Sequence, residues 1–288
     1  TYFFGPDFGE HADRLTSLAG RLGLPENIQV TTAQNEAEFD AALPHSDVII
    51  LETTPMPAAR LEACAERAKH IQQFGTVARH IDLDAARRLG LSVANLQRFS
   101  SLSSADNIVA LVMALARNLI TAHNQVLARR DPALPATFAT DPPRNKFNWA
   151  GIRDIRVIAE HAIGFIGMGE NAGLAAQRLR AMGMPVFYHK RNRLTPAEEE
   201  NLGGVIYVPR EELLERCDFV TVHIPYSPET EKYIDAEFLG QMKPGAYIIN
   251  TSRGGILDEA ALYDNLKRGH LAGAALDVLA DETAVAAS

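Results

Sequence analysis

The chain has 288 residues, of which 47% are hydrophobic and 22% charged, a globular balance with enough apolar surface for one large core or two medium ones. A formal net charge of -8 argues against a general nucleic-acid binder, and the longest apolar run, "IVALVMALA" between Asn107 and Arg117, is too short to span a bilayer. The two cysteines, Cys64 and Cys217, have neither metal-site spacing nor a disulfide framework, so a reducing, cytoplasmic setting without a metal centre or membrane partner is expected.

Along the chain, apolar β-branched runs alternate with helix-like stretches. Runs at 47–52, 70–75 and 91–96 predict one set of strands. Runs at 162–167, 185–190, 219–224, 246–250 and 272–278 predict another. Near-continuous apolarity suits strands covered on both faces, as in parallel sheets. "LAAQRLRAMG" and "DEAALYDNLKRG" read as helices, with Gly183 and Gly269 at their C-terminal caps. Strand and helix in alternation imply an α/β protein with open, doubly wound parallel sheets.

Two such sheets fit better than one: a first domain over 1–97 and a second over 98–288. The second includes a linker helix predicted at 104–130. Ser103 and Asp106 are spaced as its capping box, and Ile108, Leu111, Leu115 and Leu119 line one face. This helix is apolar over more than one face, which suits a core helix and also a homodimer contact. The proline-rich "DPALPATFATDPPRNKFN" reads as a surface loop before the second sheet.

"AIGFIGMGENAGLAAQRL" places a G-x-G-x-x-A turn between a strand and an amphipathic helix. In that context Gly167 allows the tight turn, Gly169 lets backbone approach a pyrophosphate, and Ala172 lets helix and strand pack closely. Glu170 and Asn171 open the helix, whose N–H groups and dipole favour an anion. About 20 residues further on, where an NAD-binding sheet carries an acid for the ribose 2′-hydroxyl, this chain has His189, Lys190, Arg191 and Arg193. A carboxylate repels a 2′-phosphate and guanidinium groups bind one, so NADP is the expected cofactor, with NAD the alternative. Arg191 and Arg193 are the favoured phosphate ligands, as alternate residues of a turning loop.

The stretch from "DFVTVHIPYSPETEKYI" through "GAYIINTSRGGILDEAALYDNL" to "GAALDVLADE" resembles the D-isomer-specific 2-hydroxyacid dehydrogenases, a family that includes glyoxylate and hydroxypyruvate reductases, phosphoglycerate dehydrogenases and formate dehydrogenase. "HIQQFGTVARHIDLDAARRLGLSVANL" is similar to the first domain of that family, and the resemblance covers roughly 45–282. It implies a flavodoxin-like substrate domain and a Rossmann dinucleotide-binding domain. It also implies hydride transfer between the cofactor and a small-molecule 2-oxo or D-2-hydroxy acid. In "NTSRGG", Arg253 matches the arginine that holds the substrate carboxylate and polarises its carbonyl. Glu282 matches the carboxylate that supports a catalytic histidine, and Asp277 the contact to the nicotinamide carboxamide. His223, Pro225 and Thr251 fall at strand ends facing the cofactor crevice, with His223 read as structural.

The chain also departs from the family pattern. The loop that grips the substrate carboxylate through backbone N–H groups reads Gly75, Thr76, Val77, with Val77 in place of a second glycine. The resemblance puts the general-acid histidine beyond Glu282, and none of the nine histidines fits that slot. The expectation is therefore that a C-terminal segment, which would also complete the first domain, continues past Ser288 in the full-length protein. Thr1 in place of Met likewise suggests a trimmed N-terminus. The same departures support a second functional reading: a dinucleotide-sensing regulatory or scaffold protein that turns over little.

Overall fold

The computed structural model describes residues 2–3, 29, 31–33, 35–51, 54–75, 78, 80–96, 98–130, 152 and 154–282. The chain divides into two compact units, Thr1–Phe99 and Ser100–Ser288.

In the first unit, strands β1 (Tyr2–Phe3), β2 (Val48–Leu51), β3 (His70–Phe74) and β4 (Ser92–Leu96) form a parallel sheet in the order β1-β2-β3-β4. Helices α1 (Glu36–Ala42), α2 (Ala58–Cys64) and α3 (Leu83–Arg88) make the crossovers. Two of these helix starts have a local cause. Asn35 accepts from the Glu38 N–H, and Asp82 accepts from the Ala85 N–H. The core gathers Phe39, Ile49, Leu51, Leu61, Cys64 and Ile71, all fully buried.

The linker region departs from expectation. It is two helices, α4 (Phe99–Ala116) and α5 (Leu119–Arg130), broken at Asn118, whose φ of 50° leaves the right-handed helical region. Since α4 begins at Phe99, Ser103 and Asp106 lie inside it and form no capping box. The buried stripe is Ala105, Ile108, Val112 and Ala116, while Leu111 and Leu115 are half-buried and Leu119 is exposed. By length and composition the 18 residues of α4 are long and apolar enough to cross a membrane, which the nine-residue run did not suggest. The buried stripe instead packs into the core of the second unit. The loop predicted after this helix pair lies outside the described residues.

The described residues of the second unit form six parallel strands: β5 (Ile163–Ile166), β6 (Val186–His189), β7 (Ile206–Tyr207), β8 (Phe219–Val222), β9 (Tyr247–Asn250) and β10 (Gly273–Leu276). Their order is β10-β9-β8-β5-β6-β7. Counted from β5, this is the 3-2-1-4-5-6 arrangement of a Rossmann sheet, with its switch point between β5 and β8. Helices α6 (Glu170–Ala181), α7 (Pro196–Asn201), α8 (Arg210–Arg216), α9 (Ala236–Gln241) and α10 (Glu259–Lys267) connect the strands.

Strand periodicity sorts the core into two layers. Phe165, Tyr188, Phe219 and Ile249 face α4 and α6, where Ala172, Ala175 and Ala176 keep the helix close to the sheet. Ile166, Phe187, Val220 and Ile248 face the opposite layer, with Leu213, Leu214, Phe238 and Leu262 from α8, α9 and α10. At the N-terminal edge of this sheet, buried Asp218 accepts from the Lys243 Nζ at 2.7 Å and from the Ala162 N–H at 3.0 Å. Burial alone would raise its carboxyl. The Lys243 contact, the Ala162 N–H and nearby His161 outweigh that and hold it below the ordinary carboxylate value.

Candidate active site

The glycine-rich turn joins β5 to α6. Gly167 has φ +92°, and its N–H donates to the His189 carbonyl at 2.8 Å. A Cβ there would stand 2.5 Å from the His223 carbonyl oxygen, so both the conformation and the space require glycine. Gly169 differs. It is the N-cap of α6 with no side-chain cap, and a Cβ built on it would meet nothing within 4 Å. The backbone at the start of α6 is therefore open to close approach at Gly169. Asn171 Oδ1 is buried there without a hydrogen-bond partner among the described residues. A helix N-terminus, room beside Gly169 and an orphaned polar atom fit a dinucleotide pyrophosphate and its ribose. Ala172 is buried under the sheet, as helix–strand packing requires.

His223 comes just after β8. Its ring stacks on Phe165 at 5.4 Å, and its Nε2 pairs with Thr221 Oγ1 at 2.9 Å. Loss of solvent pushes its pKa down to about 3. The imidazole is neutral at physiological pH and packs beneath the glycine turn.

A cleft of about 660 Å³ lies beyond the C-terminal ends of β8, β9 and β10. Pro225, Tyr226, Arg253, Gly254, Leu279 and Glu282 are among its lining residues. The sequence-predicted Pro225, Arg253 and Glu282 are thus brought to one cavity. Thr251, half-buried, lies just past β9. Asp277, exposed, lies just past β10, with its N–H on the Asn250 carbonyl at 3.0 Å.

Asn250 organises the arginine turn. Its buried Oδ1 accepts from the Ser252 N–H at 3.0 Å and from Ser252 Oγ at 2.9 Å, while its Nδ2 donates to the Arg253 carbonyl at 3.0 Å. The turn is locked from within, and the Arg253 side chain stays exposed at the cleft, touching the Ser252 carbonyl at 2.7 Å. Gly254 lies directly under the next loop, where a Cβ would come within 2.0 Å of the Leu279 carbonyl carbon. That loop is pinned by the Ala280 N–H on Glu259 Oε1 at 2.7 Å, and Glu282 Oε1 accepts from the Leu279 N–H at 3.4 Å. Sequence reading missed Asn250, Ser252 and Tyr226. An asparagine closing a strand before a polar turn was the available signal for Asn250.

The basic cluster after β6 divides. His189 Nδ1 lies 3.2 Å from the Val208 carbonyl, and Lys190 Nζ donates to the Met168 carbonyl of the glycine turn at 3.1 Å. Arg191 is exposed and has no ion pair among the described residues. Arg193 instead forks onto Glu199 of α7, Nε to Oε1 at 2.8 Å and Nη2 to Oε2 at 3.0 Å. The expected alternation of Arg191 and Arg193 toward one ligand is not what this geometry presents.

In the first unit Gly75 ends β3 with φ +103°, and its N–H donates to the Leu96 carbonyl at 2.9 Å. One of the three N–H groups expected to grip a carboxylate is therefore already engaged. Thr76 and Val77 lie outside the described residues.

A six-stranded parallel sheet with an open glycine turn at its switch strand, and a cleft past its strand ends, defines a dinucleotide-binding protein of the Rossmann class. The comparisons with known proteins carry this further. Residues 109–288 match the model for the D-isomer specific 2-hydroxyacid dehydrogenase NAD binding domain, and residues 13–165 match that for the catalytic domain of the same family. The chain belongs to the D-isomer specific 2-hydroxyacid dehydrogenase family. It is 31% identical over 272 residues to D-3-phosphoglycerate dehydrogenase of Mycobacterium bovis, covering 94% of this chain and 48% of that protein. It is 34% identical over 236 residues to glyoxylate reductase of Korarchaeum cryptofilum, covering 82% and 66%. The structure of D-lactate dehydrogenase from Aquifex aeolicus, complexed with NAD and lactic acid, superposes with a TM-score of 0.57 at 25% identity, covering 100% of this chain and 79% of that one. The chain spans about half the length of the first of these curated relatives.

Proposed function

We propose that this protein interconverts a 2-oxo acid and a D-2-hydroxy acid by hydride transfer with a nicotinamide dinucleotide, NADP(H) preferred. The observation that carries the reading is the meeting of Arg253 and Glu282 in one cleft at the strand ends of the dinucleotide-binding sheet. When bound, the nicotinamide supplies or accepts the hydride.

The residues of the chain do the rest. The open first turn of α6 holds the pyrophosphate, and the basic residues after β6 favour a 2′-phosphate over a bare hydroxyl. Asp277 orients the carboxamide. Arg253, held at the cleft by the Asn250 turn, pairs its planar fork with the substrate carboxylate and polarises the adjacent carbonyl. Glu282 stands on the same cleft, where it supports the group that carries the proton. Thr76 and Val77 are proposed to add N–H donors to the carboxylate. The exposed Leu119, Ile120, Val126 and Leu127 of α5 support a homodimer.

The test is NADPH oxidation by the full-length protein with glyoxylate, hydroxypyruvate and phenylpyruvate. Turnover with one or more of them is expected, and Arg253→Gln should lower it about 10²–10³-fold. No turnover with any 2-oxo acid overturns the reading. Tight dinucleotide binding in that case would favour the sensing or scaffold alternative.

A further inference from the structure

We propose that Arg193 is a positioning residue, and that its cluster with Glu199 and Tyr188 fixes the loop 190–195 so that Lys190 and Arg191 carry the 2′-phosphate. This rests on the NADP(H) reading above.

The sheet order gives the first argument. Strand β6 lies between β5 and β7. Lys190 reaches toward the β5 side, onto the Met168 carbonyl inside the glycine turn. Arg193 reaches the other way: its guanidinium lies 5.4 Å from the ring centroid of Tyr207 in β7 and forks onto Glu199. A dinucleotide on the glycine turn therefore has Lys190 beside it, while Arg193 is committed to the far edge.

Charge gives the second. Both bonds of the Arg193 fork go to one carboxylate, so a phosphate brought to this guanidinium would also meet the negative charge of Glu199. Arg193, through its hydrogen bonds, and the Tyr188 hydroxyl keep Glu199 below its ordinary carboxylate value. Burial, reinforced by Glu199, pushes the Tyr188 phenol up to about 12. The cluster thus keeps its charge state across the neutral range.

Connectivity gives the third. Buried Tyr188 donates to Glu199 Oε1 at 2.6 Å and accepts from the Leu194 N–H at 3.1 Å. Thr195 closes a capping box with Glu198 at the start of α7. The loop is tied down at 193, 194 and 195, and Arg191 and Asn192 are left exposed.

The test measures dissociation constants for NADPH and NADH by calorimetry on wild type, Arg191→Ala, Arg193→Ala, Arg193→Lys and Glu199→Gln, each checked for folding by thermal melting. Wild type should bind NADPH more tightly than NADH. Arg191→Ala should weaken NADPH about tenfold with NADH little changed. Arg193→Ala, Arg193→Lys and Glu199→Gln should each weaken NADPH by a similar, smaller factor, because a lysine cannot make the two-point fork. The Arg193→Ala, Glu199→Gln double variant should be no worse than either single one. A phosphate ligand held back by Glu199 behaves oppositely: Glu199→Gln would tighten NADPH, and Arg193→Lys would keep the preference. Either result overturns the positioning role while leaving the NADP(H) reading intact. Equal affinities in wild type overturn both. If Arg193→Ala fails to fold, Arg193→Lys gives the same decision.

Discussion

Two glycines end two parallel strands in the same way, one in each unit. Gly167 comes after β5 with φ +92° and bonds its N–H to the carbonyl of His189, at the end of neighbouring β6. Gly75 comes after β3 with φ +103° and bonds its N–H to the carbonyl of Leu96, at the end of neighbouring β4. Each turn uses a left-handed glycine to stop a strand while keeping the last rung of the ladder. The two part company in the residues beyond the glycine. After Gly167 the chain enters a 12-residue helix that has no side-chain cap and is open beside its N-cap, Gly169. Beyond Gly75, His80 Nε2 meets buried Gln73 Oε1 at 2.7 Å, with burial lowering the histidine pKa. The same strand-ending device thus precedes a helix N-terminus in one unit and a histidine–glutamine contact in the other.

Substitutions can break this comparison, and the largest effect is expected at Gly167. Gly167→Ala combines a left-handed penalty with a 2.5 Å contact to the His223 carbonyl, and should destabilise its unit by about 3 kcal/mol or more. Loss of dinucleotide binding and a lowered Tm would bear this out; an unchanged Tm would contradict it. From its φ of +103°, Gly75→Ala should cost about 1–2 kcal/mol in denaturant unfolding of the first unit. If the two costs are equal, the tight packing behind Gly167 is not the cause of its larger effect.

Acid should separate the turns more mildly. His223, beneath Gly167, has a folded pKa near 3 against an ordinary 6.5, so the unfolded chain binds the proton first. Its contribution is fully present above about pH 6.5 and is lost progressively as pH falls toward 3. His223→Gln should flatten the fall in Tm between about pH 7 and pH 5, and an unchanged slope would remove His223 as a source of acid sensitivity. The smallest stability effect belongs to Gly169→Ala, expected within about 0.5 kcal/mol because nothing occupies the new methyl's position. The same variant should weaken dinucleotide binding about tenfold by filling the space that a pyrophosphate needs. Unchanged affinity would show that the ligand does not approach this backbone.

Much of the fold was legible because it rests on local pattern. The eight predicted strands all appear, trimmed at their ends, since buried parallel strands read as unbroken apolar runs. Strand β7 was not visible: its two residues sit between a glycine pair and a proline, too few for a period to register. The break at Asn118 also escaped, because the helical apolar pattern resumes immediately after it and one left-handed asparagine leaves no periodic trace. At the candidate site, the turn at Gly167 and Gly169 was readable by spacing, and the placing of Arg253 and Glu282 at one cleft followed the resemblance. The pairing of Arg193 with Glu199 was not, because it depends on how a short excursion after β6 folds back on itself. Nor was the internal bracing by Asn250, whose partners are largely backbone groups that no side-chain pattern records.

The contact at Gly254 has a mechanical consequence. The Leu279–Ala280 backbone rests on this residue with no room for a methyl group, and Ala280 is also fastened to Glu259. The turn that carries Arg253 and the loop that carries Glu282 therefore behave as one part with a rigid weld. A displacement of either would be transmitted to the other, and the spacing of the two charged groups would survive motions that reshape the rest of the rim. Variation that reshapes the cleft is free to work on Tyr226 or Leu279 side chains, but position 254 tolerates no growth without prising the two loops apart.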